Sequence, residues 1–137
     1  MSNSLDALHS SVSRLRSVVE ELDDSQLTAQ AYPVEWSIAQ VLSHLGSRAV
    51  IMKQSVNDVV ALNKTPPDFN SLVWDVWNSK SPKEQADDVL VADQALMVTL
   101  DGLTNEQRAS FRSAIGHISL DFDGVVRMRL SEQSLHL

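Results

Sequence analysis

The chain contains no cysteine. This absence excludes disulfide bonds, zinc sites built on thiolates and a protein thiol acting as a nucleophile. Glycine and proline are scarce, with four of each, and their scarcity favours helices over loop-rich structure. No glycine-rich phosphate loop and no serine in a Gly-x-Ser-x-Gly turn occurs in the sequence, which removes two common enzyme signatures.

The chain also has no excess of basic residues over acidic ones. Lys and Arg number 11 against 18 for Asp and Glu, giving a formal net charge of −7, so neither nucleic acid nor an anionic membrane is expected as a partner. No stretch approaches the ~20 apolar residues of a membrane span, and the first residues do not resemble a secretory signal. We therefore expect a soluble, cytoplasmic protein.

The length and composition fit one compact domain. A chain of 137 residues with 43% hydrophobic residues can bury a core without disulfides or metals to staple it. The sequence shows no internal repeat and no low-complexity segment. We predict a single domain over residues 1–137, either complete in itself or the first domain of a two-domain protein.

Apolar residues recur three or four positions apart in several segments, a spacing typical of amphipathic helices. The first segment ends at Asp23-Asp24-Ser25. A capping box of Ser37 and Gln40 opens a second, which runs to about Leu62. It contains Gly46, which allows close approach of a neighbouring helix or a ligand, or simply marks loose packing. The apolar positions of the first segment are Leu5, Leu8, Val12, Leu15, Val19 and Leu22.

The second half of the chain predicts two more long helices. Ser81-Pro82 is a strong start signal for a helix that runs to Gly102. The last helix, capped by Ser119 or Asp121, continues to the chain end. Between the long helices we expect one or two helical turns around 72–77, a short turn after Thr104, an ambiguous segment at 111–118 and no strand pair. The predicted fold is an all-α, antiparallel four-helix bundle.

Three side chains could form a metal site. His44 lies mid-helix between apolar neighbours and is expected to point partly inward, as a metal ligand or as a core histidine bonded to another group. Glu132 and His136 are four residues apart on the last helix, so both can reach one ion. Alternatively, Glu132 pairs with Arg129, and His136 interacts with the helix terminus.

Two imidazoles and one carboxylate, contributed by two helices, would suit zinc, nickel or iron. Three protein ligands leave a coordination position open for water or substrate, as in catalytic sites. Other candidates are weaker. Trp36 could pack on the first turn of the second helix or line a pocket. Trp74 and Trp77 could pack inward, form a substrate wall or present a partner surface.

The segment from Trp36 to Gly46, WSIAQVLSHLG, resembles the signature of the DinB-like metal-binding bundles. Among these it is most similar to the N-terminal domain of mycothiol-dependent maleylpyruvate isomerases. The segment 22–27 and the Glu132-x-x-x-His136 pattern also fit, and the resemblance spans essentially the whole chain.

This resemblance implies that His44, Glu132 and His136 are the His/Glu/His zinc triad of the family. In the relatives, zinc binds and ionises the thiol of mycothiol, a small cysteine-containing cofactor. The thiolate is thought to add to the cis double bond of maleylpyruvate, allow rotation and leave again. Family members usually continue past the last ligand into a second domain that helps to hold the cofactor.

Three functions follow as hypotheses. The first is a zinc-dependent enzyme that activates a low-molecular-weight thiol, such as mycothiol, for transfer or isomerisation. The second is a metal-binding bundle with another reaction, such as hydrolysis by metal-bound water. The third is a non-catalytic module that uses its Trp74/Trp77 surface to bind a partner or a second copy, as a homodimer. The first two imply a small-molecule substrate.

Overall fold

The fold is known from a computed structural model that describes residues 3–31, 36–115 and 118–136, without the side chains of residues 3, 115 and 134–136. Four long helices, α1, α3, α5 and α7, are joined by shorter elements. In chain order the elements are α1 (Asn3–Glu20), α2 (Asp24–Leu27), α3 (Ile38–Ala61), α4 (Phe69–Asn78), α5 (Pro82–Asp101), α6 (Asn105–Ser110), β1 (Ser113–Ile115), β2 (Ile118–Leu120) and α7 (Phe122–His136).

The predicted capping boxes explain where α3, α5 and α6 begin. Ser37, Ser81 and Thr104 each accept a hydrogen bond from a backbone amide in the first helical turn, and a side chain in that turn accepts one from the backbone of the cap. These bonds satisfy donors that a helix start otherwise leaves unpaired. At α7, the Asp121 carboxylate accepts from the Gly124 amide at 2.8 Å, so Asp121 is the cap.

The all-α, four-helix-bundle prediction is confirmed, and the contacts give the direction of each helix. Ser4 and Arg127 are in contact at 3.3 Å, and Ser11 and Gln133 at 2.6 Å, so α1 and α7 run in the same direction. The helix α5 runs opposite to α1, because the His9 side chain near the start of α1 meets Asp101 at the end of α5 at 2.9 Å. The antiparallel prediction therefore holds for some helix pairs and not for α1 with α7.

Helix α4 is the reason for this arrangement. It returns along α3, and Trp77 near its end packs on Gly46 in the first half of α3, where an added Cβ would be 2.4 Å from the indole ring. The chain therefore starts α5 at the same end of the bundle as α3. The absence of a side chain at Gly46 lets α4 pack closely against α3, which is one of the roles predicted for this residue.

Three sequence predictions need correction. Helix α1 ends at Glu20, and Asp23 instead caps the one-turn helix α2, since its side chain accepts from the Gln26 amide at 2.8 Å. Helix α4 is longer than the one or two turns predicted around 72–77. A strand pair is present, with Ser113 opposite Leu120.

Buried apolar side chains from all four long helices form one core. Leu8 and Leu15 of α1, Leu45 of α3 and Leu96 of α5 are completely inaccessible to solvent. Within the described part of the chain, no helix combines the length and the apolar character needed to cross a membrane.

Candidate functional site

His44 lies on the second turn of α3, at the edge of the bundle. It is half-buried, and its ring centre is 5.5 Å from that of Trp36, with the ring planes tilted by 54°. Trp36 is held in place just before the helix, because its carbonyl accepts a 2.7 Å hydrogen bond from the Ala31 amide. Trp36 therefore lies against the predicted ligand His44 and lines a pocket. Of the two roles predicted for Trp36 from the sequence, this was the less favoured.

Glu132 lies on α7 and faces α3. Its Oε2 atom accepts a 2.8 Å hydrogen bond from Nε of Arg48, and its side chain is 16% exposed. Its Oε1 atom is 3.5 Å from Nη1 of Arg129, the partner suggested by the sequence. That distance is too long for a good hydrogen bond, and the buried Oε1 has no hydrogen-bond partner among the described residues.

A buried polar network fixes the α7 residues next to Glu132. Asp93 of α5 contacts Arg129 at 3.1 Å through one carboxylate oxygen and Gln133 at 2.8 Å through the other. Ser11 of α1 donates to the side-chain oxygen of Gln133 at 2.6 Å. Asp93, Arg129 and Gln133 are at most 1% exposed, so this network is shielded from competing water and restricts how Glu132 can move.

Helices α3 and α7 run antiparallel past this site. Arg48 lies opposite Glu132, and further along α3 the side chains of Met52 and Val56 line the same cavity as Met128 and Val125 of α7. Each turn forward along α3 thus corresponds to a turn backward along α7. His44 precedes Arg48 by four residues and position 136 follows Glu132 by four, which is one further turn on each helix.

The structure brings His44 and Glu132 onto neighbouring helices, with Arg48 one turn from His44. The side chain of His136 lies outside the described residues. Among the side chains that are described, no three His, Asp or Glu residues could together hold a metal ion. The three-ligand site, which needs His136, stays a prediction.

The types of side chain at the site are suited to binding a divalent cation. A buried carboxylate oxygen without a hydrogen-bond partner is a natural ligand, and an imidazole one turn away on the facing helix is a second. Arg48 and Arg129 provide opposing positive charge near the same carboxylate.

A cavity of about 320 Å³ adjoins His44. Its walls include Trp36, Gln40, Ser47 and the exposed side of Trp74. Trp77, by contrast, is only 5% exposed because it packs into the space left by Gly46. Trp77 therefore packs inward, which was the first interpretation of the pair. Trp74 is 42% exposed and lines this cavity, and a partner surface on it stays a prediction.

Arg48, Asp93 and Gln133 were not identified from the sequence as parts of the site. Asp93 and Gln133 each continue the apolar spacing of their helix at a core-facing position, and a polar residue at such a position was the available signal. Arg48 follows His44 by four residues, so it shares a helix face with the predicted ligand.

The chain matches a family of known proteins. Residues 8–137 match the family described as the mycothiol maleylpyruvate isomerase N-terminal domain. No curated protein and no solved structure matches the chain. Because the match covers nearly the whole sequence, the chain belongs to the family of mycothiol maleylpyruvate isomerase N-terminal domains.

Proposed function

We propose that this protein binds a divalent metal ion, with zinc favoured over nickel or iron, through His44, Glu132 and His136, and uses it to activate a low-molecular-weight thiol. The contact between Arg48 and Glu132 is the observation that carries the proposal. It sets the register of α3 against α7. In this register His44 and residue 136 each lie one turn beyond the contact, which supports the proposal that both are ligands of one ion.

The protein's own residues would prepare the site. Asp93 and Arg129 restrain the backbone and side chains around Glu132, so its carboxylate needs little reordering to act as a ligand. Trp36 orients the His44 ring by direct contact. Arg48 must release or share Oε2 of Glu132 when a cation arrives, which makes it a competitor for the carboxylate.

The thiol must come from a small molecule, because the chain has no cysteine. A bound zinc ion lowers the pKa of a coordinated thiol enough to provide a thiolate at neutral pH. The cavity beside His44, with Trp36 and Trp74 in its walls, is large enough for part of such a molecule. Family membership supports mycothiol as the thiol and a transfer or cis–trans isomerisation as the reaction.

Elemental analysis of the purified protein tests the metal. We expect about one zinc per chain, lost in His44→Ala and Glu132→Gln variants that keep their helical circular dichroism. His9→Ala is the matched control, because His9 is an exposed histidine on α1 whose partner is Asp101. Equal metal content in all three variants would refute the proposed ligands.

A cobalt-substituted protein tests the thiol. Titration with mycothiol, or with a simpler cysteine-containing thiol, should produce a charge-transfer absorption typical of cobalt–thiolate bonds. The Glu132→Gln variant should not show it. A metal-loaded protein without any spectral response would refute thiol activation and favour the hydrolytic alternative.

A further inference from the structure

A second cavity, of about 340 Å³, lies between α3, α7, β1 and the loop that follows α3. Its inner surface is formed by side chains of the buried core. Met52, Val56, Phe111 and Val125 are each no more than 5% exposed and line it together with Met128. This volume is at the lower end of the range for small-molecule sites, and apolar walls are typical of them.

The outer wall of this cavity is held in a fixed position. It includes Thr65 and Pro66, from the loop after α3. The Thr65 hydroxyl donates to the carboxylate of Asp58, which also accepts from Gln54 at 3.0 Å, and the Asn63 amide donates to the Asp58 carbonyl at 2.8 Å. The loop is thus tied to α3, and the cavity needs little ordering before a ligand enters.

One charged group is found in the described lining of the cavity, and it is Arg48. Its Nε atom donates to Glu132, while its two terminal nitrogens have no partner among the described residues. A guanidinium has five N–H donors in a planar fork, so Arg48 can keep Glu132 and still bind a second carboxylate. Its side chain is 23% exposed, which leaves it accessible.

We infer that this cavity binds a small organic acid with one carboxylate and an apolar body. The carboxylate would pair with the terminal nitrogens of Arg48, and the body would contact Met52, Phe111 and Val125. A second carboxylate would find only neutral side chains, such as Ser55, Asn70 and Ser113, and no second cation among the described lining residues to offset its desolvation, so dicarboxylates are disfavoured.

This inference goes beyond the proposed metal site and does not require it. None of the three predicted ligands, His44, Glu132 and His136, is among the described residues that line the cavity. Arg48 separates the cavity from Glu132, so an acid bound here would lie beside the proposed reaction centre. It would be a candidate for a molecule that regulates that centre.

Calorimetric titration with three related probes tests the inference. Phenylacetate has one carboxylate and an apolar ring, phenylacetamide is its neutral counterpart, and 2-carboxyphenylacetate carries a second carboxylate. We expect phenylacetate to bind at least tenfold more tightly than either of the others, because phenylacetamide lacks the charge-assisted hydrogen bond and 2-carboxyphenylacetate must desolvate a second charge.

Three variants test the charge of Arg48 and the volume of the cavity separately. Arg48→Met keeps the apolar stem and should weaken phenylacetate binding about tenfold or more. Ser55→Phe fills the cavity from the half-buried Ser55 of α3 and should abolish binding without touching Arg48. Arg127→Met is the control, because Arg127 is 71% exposed on α7 and pairs with Asp123; it should bind as the unchanged protein does.

Two results would overturn the inference. Equal binding of phenylacetate and phenylacetamide would exclude recognition of the carboxylate by Arg48. Unchanged binding to a folded Ser55→Phe protein, or no binding of any probe to the unchanged protein, would exclude this cavity as the site. Because the Ser55→Phe variant and the probe series do not depend on Arg48→Met, the test remains decisive if that variant fails to fold. Metal content is measured in the same samples, so that a failure of the proposed metal site is distinguished from a failure of this inference.

Discussion

Nε of Arg48 lies 2.8 Å from Oε2 of Glu132, and this contact joins the two helices on which the candidate site depends. It lies between the cavity beside His44 and the apolar cavity bounded by β1. On the two proposals made above, the same guanidinium would compete with a metal for Glu132 and would offer its remaining donors to an acid. Replacing Arg48 should therefore strengthen metal binding and weaken binding of the acid.

Replacing Arg48 with Met should strengthen zinc binding. The change removes a positive charge in direct contact with the proposed carboxylate ligand and frees Oε2. Because a partly exposed charge pair of this kind contributes about 1 kcal/mol, we expect zinc affinity to rise about fivefold. Competition with a chromophoric chelator measures the change. A weaker affinity in the folded variant would show that Arg48 positions Glu132 and does not compete for it.

Asp93 should be essential for stability. It is 1% exposed and is the nearer of the two carboxylates that contact the fully buried Arg129. Asp93→Asn leaves that guanidinium with only the longer, 3.5 Å contact to Glu132, and we expect a loss of about 3 kcal/mol in the free energy of unfolding, measured with urea.

A double variant tests the cause of that loss. Asp93→Leu combined with Arg129→Met removes both charges, and it should be more stable than Asp93→Asn, because no unpaired buried ion remains. If the double variant were the less stable protein, the loss would come from packing or from the Gln133 contact and not from the isolated charge.

The helices could be predicted from the sequence because their signals are local. Ser81, followed by Pro82 and Glu84, contains all the information needed to start α5. The β1–β2 pair could not be found in this way. Ser113 is polar and buried, whereas Ala114 is apolar and exposed, so the hydrophobic alternation typical of a strand is absent.

The relative direction of the helices could not be predicted from local sequence signals either. The return of α4 along α3 depends on the contact of Trp77 with Gly46, residues 31 positions apart. At the site, His44 and Glu132 could be named from residue type and family resemblance. Arg48 and Asp93 act through partners on other helices, and such partners become visible only when the chain is folded.

Gly46→Ala should destabilise the protein although alanine favours helices. The new Cβ would be 2.4 Å from two carbons of the Trp77 ring, so the ring or α4 must move. Such overpacking costs about 1–3 kcal/mol against a helix-propensity gain of about 1 kcal/mol. We expect a net loss of about 1 kcal/mol, measured by urea unfolding.

The Trp77→Leu background is the control for this effect. With the indole removed, Gly46→Ala should be neutral or stabilising by up to about 1 kcal/mol, because only helix propensity then remains. An equal loss in both backgrounds would mean that the indole does not determine the need for glycine.

Leu62→Gly should stabilise the protein. Leu62 ends α3 with φ 59°, in the left-handed region, and it is 92% exposed. Glycine adopts this conformation without the clash that a Cβ causes, and the substitution removes little packing. We expect a gain of about 0.5–1 kcal/mol, reduced by the greater flexibility of glycine in the unfolded chain.

Leu72→Gly provides the matched comparison for Leu62. Leu72 is also an exposed leucine, at 56%, but it lies inside α4, where glycine costs about 1 kcal/mol. Thermal unfolding should move in opposite directions for the two variants. A lower melting temperature for Leu62→Gly would contradict the proposed strain at the end of α3.

The capping box of α5 should make stability depend on acid pH. The backbone hydrogen bond from Ser81 holds the pKa of Glu84 below its ordinary value of 4.5, with a smaller contribution from the Ser81 hydroxyl. A lowered pKa in the folded state means that the stabilisation is complete above about pH 4.5 and is lost as the pH falls through the folded-state value. Glu84→Gln should flatten unfolding free energy against pH in this range.

The capping box of α3 provides the reciprocal test, because it already contains a glutamine. Gln40 accepts a 2.8 Å hydrogen bond from the Ser37 amide, and Ser81 donates to Glu84 at the same distance. Gln40→Glu should therefore add an acid-dependent loss of stability of the same sign as the one that Glu84→Gln removes. Urea titrations between pH 3 and 6 measure both slopes. If neither substitution changed its slope, ionisation of the third residue in these boxes would not be coupled to folding.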